Sequence, residues 1–221
     1  MKVMILAAGR GQRMRELTES CPKPLLKVKG VSLIEHHIRA LKAQGFNEFV
    51  INVAYLAAQI KQALGSGKQW GVSIAYSDED GEALETGGGI FKALPLLGDK
   101  SFLVVNADVW IDYPYANLRQ ETAKKIHLVL VNNPVHNPAG DFHLKGQQLV
   151  EQGGECLTYS GVGVFHPSVF SDESGGVFPL APLIRQQISH GDVSGELHKG
   201  VWVDVGTPER LAFLESQVIT Q

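Results

Sequence analysis

Cysteine is nearly absent: Cys21 and Cys156 are the only two in 221 residues. Two thiols cannot build a disulfide framework, so the fold must rest on an ordinary apolar core, and the pair is expected to stay reduced in the cytoplasm. No hydrophobic run approaches the ~20 residues of a membrane-spanning helix. The short apolar run after Lys2 meets arginines too soon to serve as a secretory signal. A basic excess is missing too, since 20 Lys and Arg stand against 23 Asp and Glu, for a formal net charge of -3. That balance excludes nucleic acid as the main partner, because a phosphate backbone requires a basic face. Any attraction for anions must therefore be local. Internal repeats, low-complexity tracts and linkers are also lacking, so 1–221 is expected to be a single domain.

What the chain does have is glycine, 24 residues of it, and a steady alternation of apolar strands with helical faces. Lys2 to Ala7 reads as a strand ended by glycine. Leu33, Ile34, Ile38 and Leu41 then fall at helical spacing before Gly45. Phe49 to Ala54 is a buried strand, Leu56, Ile60 and Leu64 form a helical face, and Val72, Ile74 and Tyr76 alternate as a strand does. The alternation continues through a helix carrying Ile90, Phe91, Leu94 and Leu97 to strands at Phe102 to Val105 and His127 to Val131. A hairpin joins Phe142–Leu144 to Gln148–Val150, and Ser160 to Phe165 is a further strand. Leu180, Leu183, Ile184 and Ile188 suit a helix, and Val201 to Val205 a late strand. Thr207-Pro208 opens a last helix with Leu211, Leu214 and Val218 inward. Repeated βα units predict an α/β fold, a largely parallel sheet covered by helices on both faces. Ligands in such sheets bind beyond the carboxyl ends of the strands. The residues there are Gly9-Arg10-Gly11, Asn106-Ala107-Asp108 and Asp204-Val205-Gly206.

Glycines directly after a strand let backbone N–H groups approach a phosphate, and the helical turn that follows adds partial positive charge. Here Arg10, Arg13 and Arg15 accompany them, and Arg13 is best placed for a forked contact to phosphate oxygens. Lys23 lies between Pro22 and Pro24, which restrict where its ammonium can go. By itself Gly-x-Gly is equally an ordinary tight turn. The dinucleotide fingerprint fails because Met14 stands where its third glycine belongs, and the Walker spacing is absent. Asp108 and Asp204 each follow an apolar strand, and either alone suits a helix cap or a salt bridge. Beside a phosphate loop the two carboxylates together suit Mg²⁺, which completes its shell with phosphates and water. The eight histidines show no zinc spacing, and no Ser/His/Asp triad is marked. Cys21, near Lys23, reads either as an activated thiol or as a small residue in a loop.

Leu6-Ala7-Ala8-Gly9-Arg10-Gly11-Gln12-Arg13-Met14-Arg15, followed by Pro22-Lys23-Pro24-Leu25, closely resembles the signature of the sugar-1-phosphate nucleotidyltransferases. Asn106-Ala107-Asp108 resembles that family's metal-binding motif, and Trp202-Val203-Asp204-Val205-Gly206-Thr207-Pro208 its second metal site. The stretch Leu84-Glu85-Thr86-Gly87-Gly88-Gly89-Ile90 looks like the segment that meets the nucleoside. Asn106-Ala107-Asp108-Val109-Trp110, Gly140-Asp141-Phe142 and Leu157-Thr158-Tyr159-Ser160-Gly161 are most similar to the family branch that uridylylates N-acetylmuramate α-1-phosphate in cell-wall recycling. Two departures stand out: Glu16 replaces the usual proline, and Glu151-Gln152-Gly153 replaces a Glu-Lys-Pro motif.

The resemblance implies a three-layer α/β/α, Rossmann-like nucleotidyltransferase fold with a mostly parallel, mixed central sheet. Its nucleotide-binding part would be roughly 1–110 and its sugar-binding part roughly 111–221. It implies UTP and a sugar-1-phosphate as substrates, with Mg²⁺ as cofactor, in a monomer or small homo-oligomer. Ala7, Ala8, Gly9, Gly11, Gln12, Arg13, Lys23, Thr86, Gly87 and Gly88 are expected to meet the nucleotide, and Asn106, Asp141, Glu151 and Tyr159 the sugar phosphate. Asp108 and Asp204 would hold the metal, with Lys23, Arg13 and Asp108 at the centre of catalysis. Rival readings are the same chemistry on mannose, glucose or heptose phosphate, and a non-catalytic sugar-nucleotide sensor. A sensor should have lost a carboxylate or the lysine, and this chain keeps Asp108, Asp204 and Lys23.

Overall fold

Strands buried on both faces dictate the layering. In the computed structural model, which describes residues 1–120 and 124–217, strand β1 (Val3–Leu6) sends Val3 and Ile5 into one apolar layer and Met4 into another. A small antiparallel pair follows, β2 (Lys27–Val28) with β3 (Val31–Ser32). Then come α1 (Leu33–Ala43), β4 (Glu48–Val53), α2 (Ala57–Leu64), β5 (Ser73–Asp78), α3 (Glu85–Leu97) and β6 (Phe102–Asn106). Strands β5, β4, β1 and β6 are neighbours in that order and all parallel, with Val3 level with Phe49 and Leu103. Ile34, Ile38 and Leu41 of α1 and Ile60 and Leu64 of α2 pack with Val3 and Ile5 on one face. Ile90, Ala93 and Leu97 of α3 pack with Met4, Val50 and Val104 on the other. Removing these side chains from water is what joins the three layers.

The second half departs from the parallel pattern. It comprises β7 (Val109–Ile111), β8 (Ile126–Val131), β9 (Phe142–Lys145), β10 (Gln148–Val150), β11 (Glu155–Phe165), α4 (Leu180–Ser189), β12 (Val193–Leu197), β13 (Trp202–Asp204) and α5 (Pro208–Gln217). β11 runs antiparallel to both β6 and β8, and β12 runs parallel to β8. The β9–β10 hairpin reaches β12 through Gln148 and β11 through Leu144 and its neighbours. The pairings thus run in a ring from β11 through β8, β12, β10 and β9 back to β11. The sheet is mixed, as expected, but its parallel character is concentrated in the first half. Apolar alternation reports which strands are buried and not which way they run, so direction was set by the hairpin and by β11.

β11 starts earlier than its apolar run, at Glu155, because a register shift between Tyr159 and Val162 lets its two ends serve different neighbours. Short β7 and β12 carried no clear signal of their own. The last helix begins as expected, with Thr207 Oγ1 accepting the Arg210 amide at 3.4 Å. Leu214 is buried in a third apolar cluster with Met14, Val203 and Val205, whereas Val218 lies outside the described residues. No helix among the described residues is long and apolar enough to cross a membrane.

Candidate active site

The carboxyl ends of β1, β4, β5 and β6 open onto one cavity of ≈ 530 Å³. Ala7, Ala8, Gly9, Gly11, Gln12 and Arg13 form one wall, and Asn106, Ala107 and Asp108 form another. Gly11 has φ +66, and a Cβ there would lie 3.1 Å from the Lys23 side chain, so the loop needs glycine to close over Lys23. Met14 is fully buried. The residue that spoils the dinucleotide pattern therefore roots this loop in the apolar cluster beneath it.

Two polar residues not anticipated from sequence brace this wall. Asn52 Oδ1 accepts the Ala7 amide at 2.8 Å, and Asn52 Nδ2 donates to Glu79 Oε1 at 2.7 Å. Glu79 Oε2 accepts the Leu84 amide at 2.8 Å. Asn52 and Glu79 are each 3% exposed, so their full pairing is what makes their burial tolerable. One signal existed: Asn52 is the polar residue near the end of the apolar run Phe49-Val50-Ile51.

Lys23 is buried in a turn, and its Nζ lies 2.6 Å from Asp108 Oδ2. Asp204 arrives from the far end of the chain. β13 pairs with β7 so that Asp204 faces Val109, and the Val205 amide donates to Asp108 O at 2.8 Å. The backbones of the two aspartates are therefore adjacent. Asp204 Oδ2 accepts from Arg210 Nη1 at 2.7 Å, and the same Nη1 donates to His136 Nε2 at 2.9 Å. A Cβ on Gly206, which lines the cavity, would fall 2.4 Å from Arg210 Nη2, 2.9 Å from Asp204 Oδ1 and 3.1 Å from Arg13 Nη2. Arg13, Arg210 and Asp204 thus converge on a position that only glycine leaves open.

Two hard-oxygen carboxylates, Asp108 just before β7 and Asp204 on the paired β13, fit the demands of Mg²⁺. No group of three or more His, Cys, Asp or Glu side chains could cage a metal among the described residues. An ion here would depend on phosphate and water for the rest of its shell, as Mg²⁺ usually does.

β7 is itself anchored by α1, whose His37 Nε2 donates to Val109 O at 2.7 Å. Burial lowers the His37 pKa from 6.5 to about 4, outweighing the upward pull of that bond and of Asp108. The unfolded imidazole takes its proton near 6.5 and the folded one only near 4, so the folded state loses stability as pH falls through that window. Above 6.5 the contribution is undiminished. Going from about pH 7.5 to about pH 5 should cost about 2 kcal/mol through this group. Urea unfolding would show it, and His37→Gln should flatten the profile over the same range.

The remaining expected residues divide. Thr86 lines the cavity and its Oγ1 accepts the Leu180 amide at 3.1 Å. Gly87 and Gly88 do not line it. They are buried against the 175–178 segment, where a Cβ would come within 2.5 Å of the Phe178 ring or 2.1 Å of Gly176 O. Both positions are held to glycine by the close packing of α3. Gly88→Ala should cost about 1–3 kcal/mol in urea unfolding, as overpacking does.

Of the four residues expected at the sugar, only Asn106 lines the cavity. Asp141 Oδ2 instead accepts the Tyr159 amide at 2.8 Å and its Oδ1 accepts from Asn137 at 3.0 Å. The Tyr159 hydroxyl is buried without a partner, and burial pushes its pKa up. Glu151 is exposed beyond β10. Cys21 is half-buried, and burial raises its pKa against the opposing pull of Lys27. That is the behaviour of a plain loop thiol and not of an activated one.

Residues 2–142 match the nucleotidyl transferase family model. The chain is 51% identical over 220 residues to a Neisseria meningitidis serogroup B protein named N-acetylmuramate alpha-1-phosphate uridylyltransferase, covering 96% of this chain and 95% of that one. A Caulobacter vibrioides protein of the same name is 35% identical over 231 residues, covering 97% and 96%. A Bacillus anthracis chain, provisionally named a glucose-1-phosphate thymidylyltransferase and solved with sucrose, superposes with a TM-score of 0.89 over 100% of this chain and 97% of its own. At 20% identity that last likeness shows the fold alone.

Proposed function

Because the chain belongs to the nucleotidyl transferase family, we propose that its cavity joins UTP to N-acetylmuramate α-1-phosphate, giving UDP-N-acetylmuramate and pyrophosphate. The observation that carries this reading is a single cavity holding the glycine–arginine loop, Lys23 and Asp108 together. The relatives' shared name supplies the sugar and the base.

The reaction forms one bond, from the sugar phosphate oxygen to the α-phosphorus, and breaks the bond from that phosphorus to the bridging oxygen. The attacking oxygen is already anionic, so no base is needed. No histidine is found among the described residues lining the cavity. Catalysis then consists of alignment and charge neutralisation. Arg13 and the amides of the Gly9–Gly11 loop hold the triphosphate. Lys23, whose turn leaves it little freedom, stabilises charge growing on the α-phosphate. Asn106, which lines the cavity, meets the sugar phosphate. Asp108 and Asp204 would hold Mg²⁺, which when bound would supply further positive charge to the reacting phosphates. Free Cys21 and Cys156 and UTP as substrate suit a cytoplasmic reaction, here one that recycles cell-wall sugar.

A panel crossing N-acetylmuramate, N-acetylglucosamine, glucose and mannose 1-phosphates with UTP, GTP, dTTP and CTP tests the assignment by pyrophosphate release. N-acetylmuramate α-1-phosphate with UTP should lead in kcat/KM by about a hundredfold or more. A lead for mannose 1-phosphate with GTP would replace the sugar and base while keeping the chemistry.

A further inference from the structure

Both carboxylates assigned to the metal are already taken. Lys23 Nζ lies 2.6 Å from Asp108 Oδ2, and Arg210 Nη1 lies 2.7 Å from Asp204 Oδ2. Neither cation is a loose surface group, for their side chains are 8% and 21% exposed. Pro22 and Pro24 flank Lys23, whose carbonyl is tied to the Leu26 amide at 3.1 Å. Arg210 stands in the first turn of α5, where Gly206 makes room for its guanidinium. Arg13 Nη2 closes on the same glycine. With Lys23 and Arg210 on the two carboxylates and Arg13 beside Gly206, a free divalent cation must displace an ion pair to reach either oxygen. A triphosphate entering beside the Gly9–Gly11 loop would bring negative charge to these cations. It would also offer the buried ammonium a second anionic partner, without which leaving Asp108 is costly.

We propose that Lys23 and Arg210 act as resident counter-ions, keeping metal off Asp108 and Asp204 in the free protein and ceding both when the nucleotide arrives. Metal and UTP then enter together, and a metal-first complex does not accumulate. The same movement frees Lys23 for the α-phosphate only when there is one to meet. Arg210 thereby becomes a positioning residue of the site, acting through Asp204. The proposal rests on the nucleotide and metal reading of the cavity given above.

Mn²⁺ alone is the probe, titrated by electron paramagnetic resonance into nucleotide-free wild type, Lys23→Met and Arg210→Met, with folding checked by circular dichroism. Each variant should bind Mn²⁺ about tenfold tighter than wild type, the size of effect expected for losing one competing charge pair. Adding Asp108→Asn to Lys23→Met should remove its gain. Glutamine replaces methionine wherever a variant does not fold. Equal affinity in all three proteins overturns the proposal, as does wild type binding Mn²⁺ as tightly as the variants do. A gain in one variant only overturns it for the other carboxylate. Pyrophosphate release by the wild type reads the proposed function separately, so an enzyme active on UTP with unchanged Mn²⁺ affinities would sink the counter-ion role alone.

Discussion

Asp108→Asn is expected to lower kcat by about a thousandfold or more while leaving the chain folded. That factor is about 4 kcal/mol of transition-state stabilisation, reasonable for a charge that holds a metal at reacting phosphates. The substitution keeps the shape of the side chain and removes its charge. The local backbone does not depend on the carboxylate, since the neighbouring Ala107 amide donates to Leu6 O at 3.0 Å and Asp108 O accepts from Val205. Lys23 loses an ionic partner but keeps a hydrogen-bond acceptor, and the resulting instability should stay near 1–3 kcal/mol, about the cost of a weakened buried pair. Pyrophosphate release and thermal unfolding on one preparation would separate the two effects. Undiminished turnover would take Asp108 out of the metal site.

Lys23→Ala should reduce kcat by about a hundred- to a thousandfold, with a smaller change in KM for UTP. The reasoning is positional. The lysine's backbone is held in a turn between prolines at the cavity wall, its ammonium is thereby confined to the neighbourhood of Asp108 and the cavity, and an ordered charge acts most where charge grows in the transition state. Lys23→Arg should recover little, because the lysine side chain is buried with its ammonium already 2.6 Å from Asp108 Oδ2, which leaves a longer, planar guanidinium little room in the same place. Steady-state kinetics decide the matter. If KM alone rises, Lys23 binds the triphosphate without assisting the transfer.

Residue spacing announced some parts of this site and hid others. Lys23 and Asp108 were legible because each sits at a locally marked place, one between prolines and one at the end of an apolar strand. The tight packing at Gly87 and Gly88 was not legible, because glycine in a loop motif and glycine beneath a tightly packed helix look the same in sequence. Asp141 and Tyr159 are tied to one another, carboxylate to backbone amide. Likeness of motif did not show that tie, because it carries no information on which way a side chain turns. Asn52 and Glu79 were missed because a buried polar pair announces itself only once two strand ends lie side by side.

From its sequence alone this protein was bound to a layered α/β architecture, a glycine–arginine loop after its first strand, a constrained lysine and two strand-end aspartates. These are local properties: hydrophobic period, turn chemistry and the position where an apolar run stops. Only the tertiary structure brought Asp204 beside Asp108, by pairing β13 with β7, and chose Lys23 and Arg210 as the cations that hold them. It likewise closed the ring of β11, β8, β12, β10 and β9 in the second half. Strand direction and charge pairing depend on what distant segments bury against one another, and no spacing within a single segment can encode that.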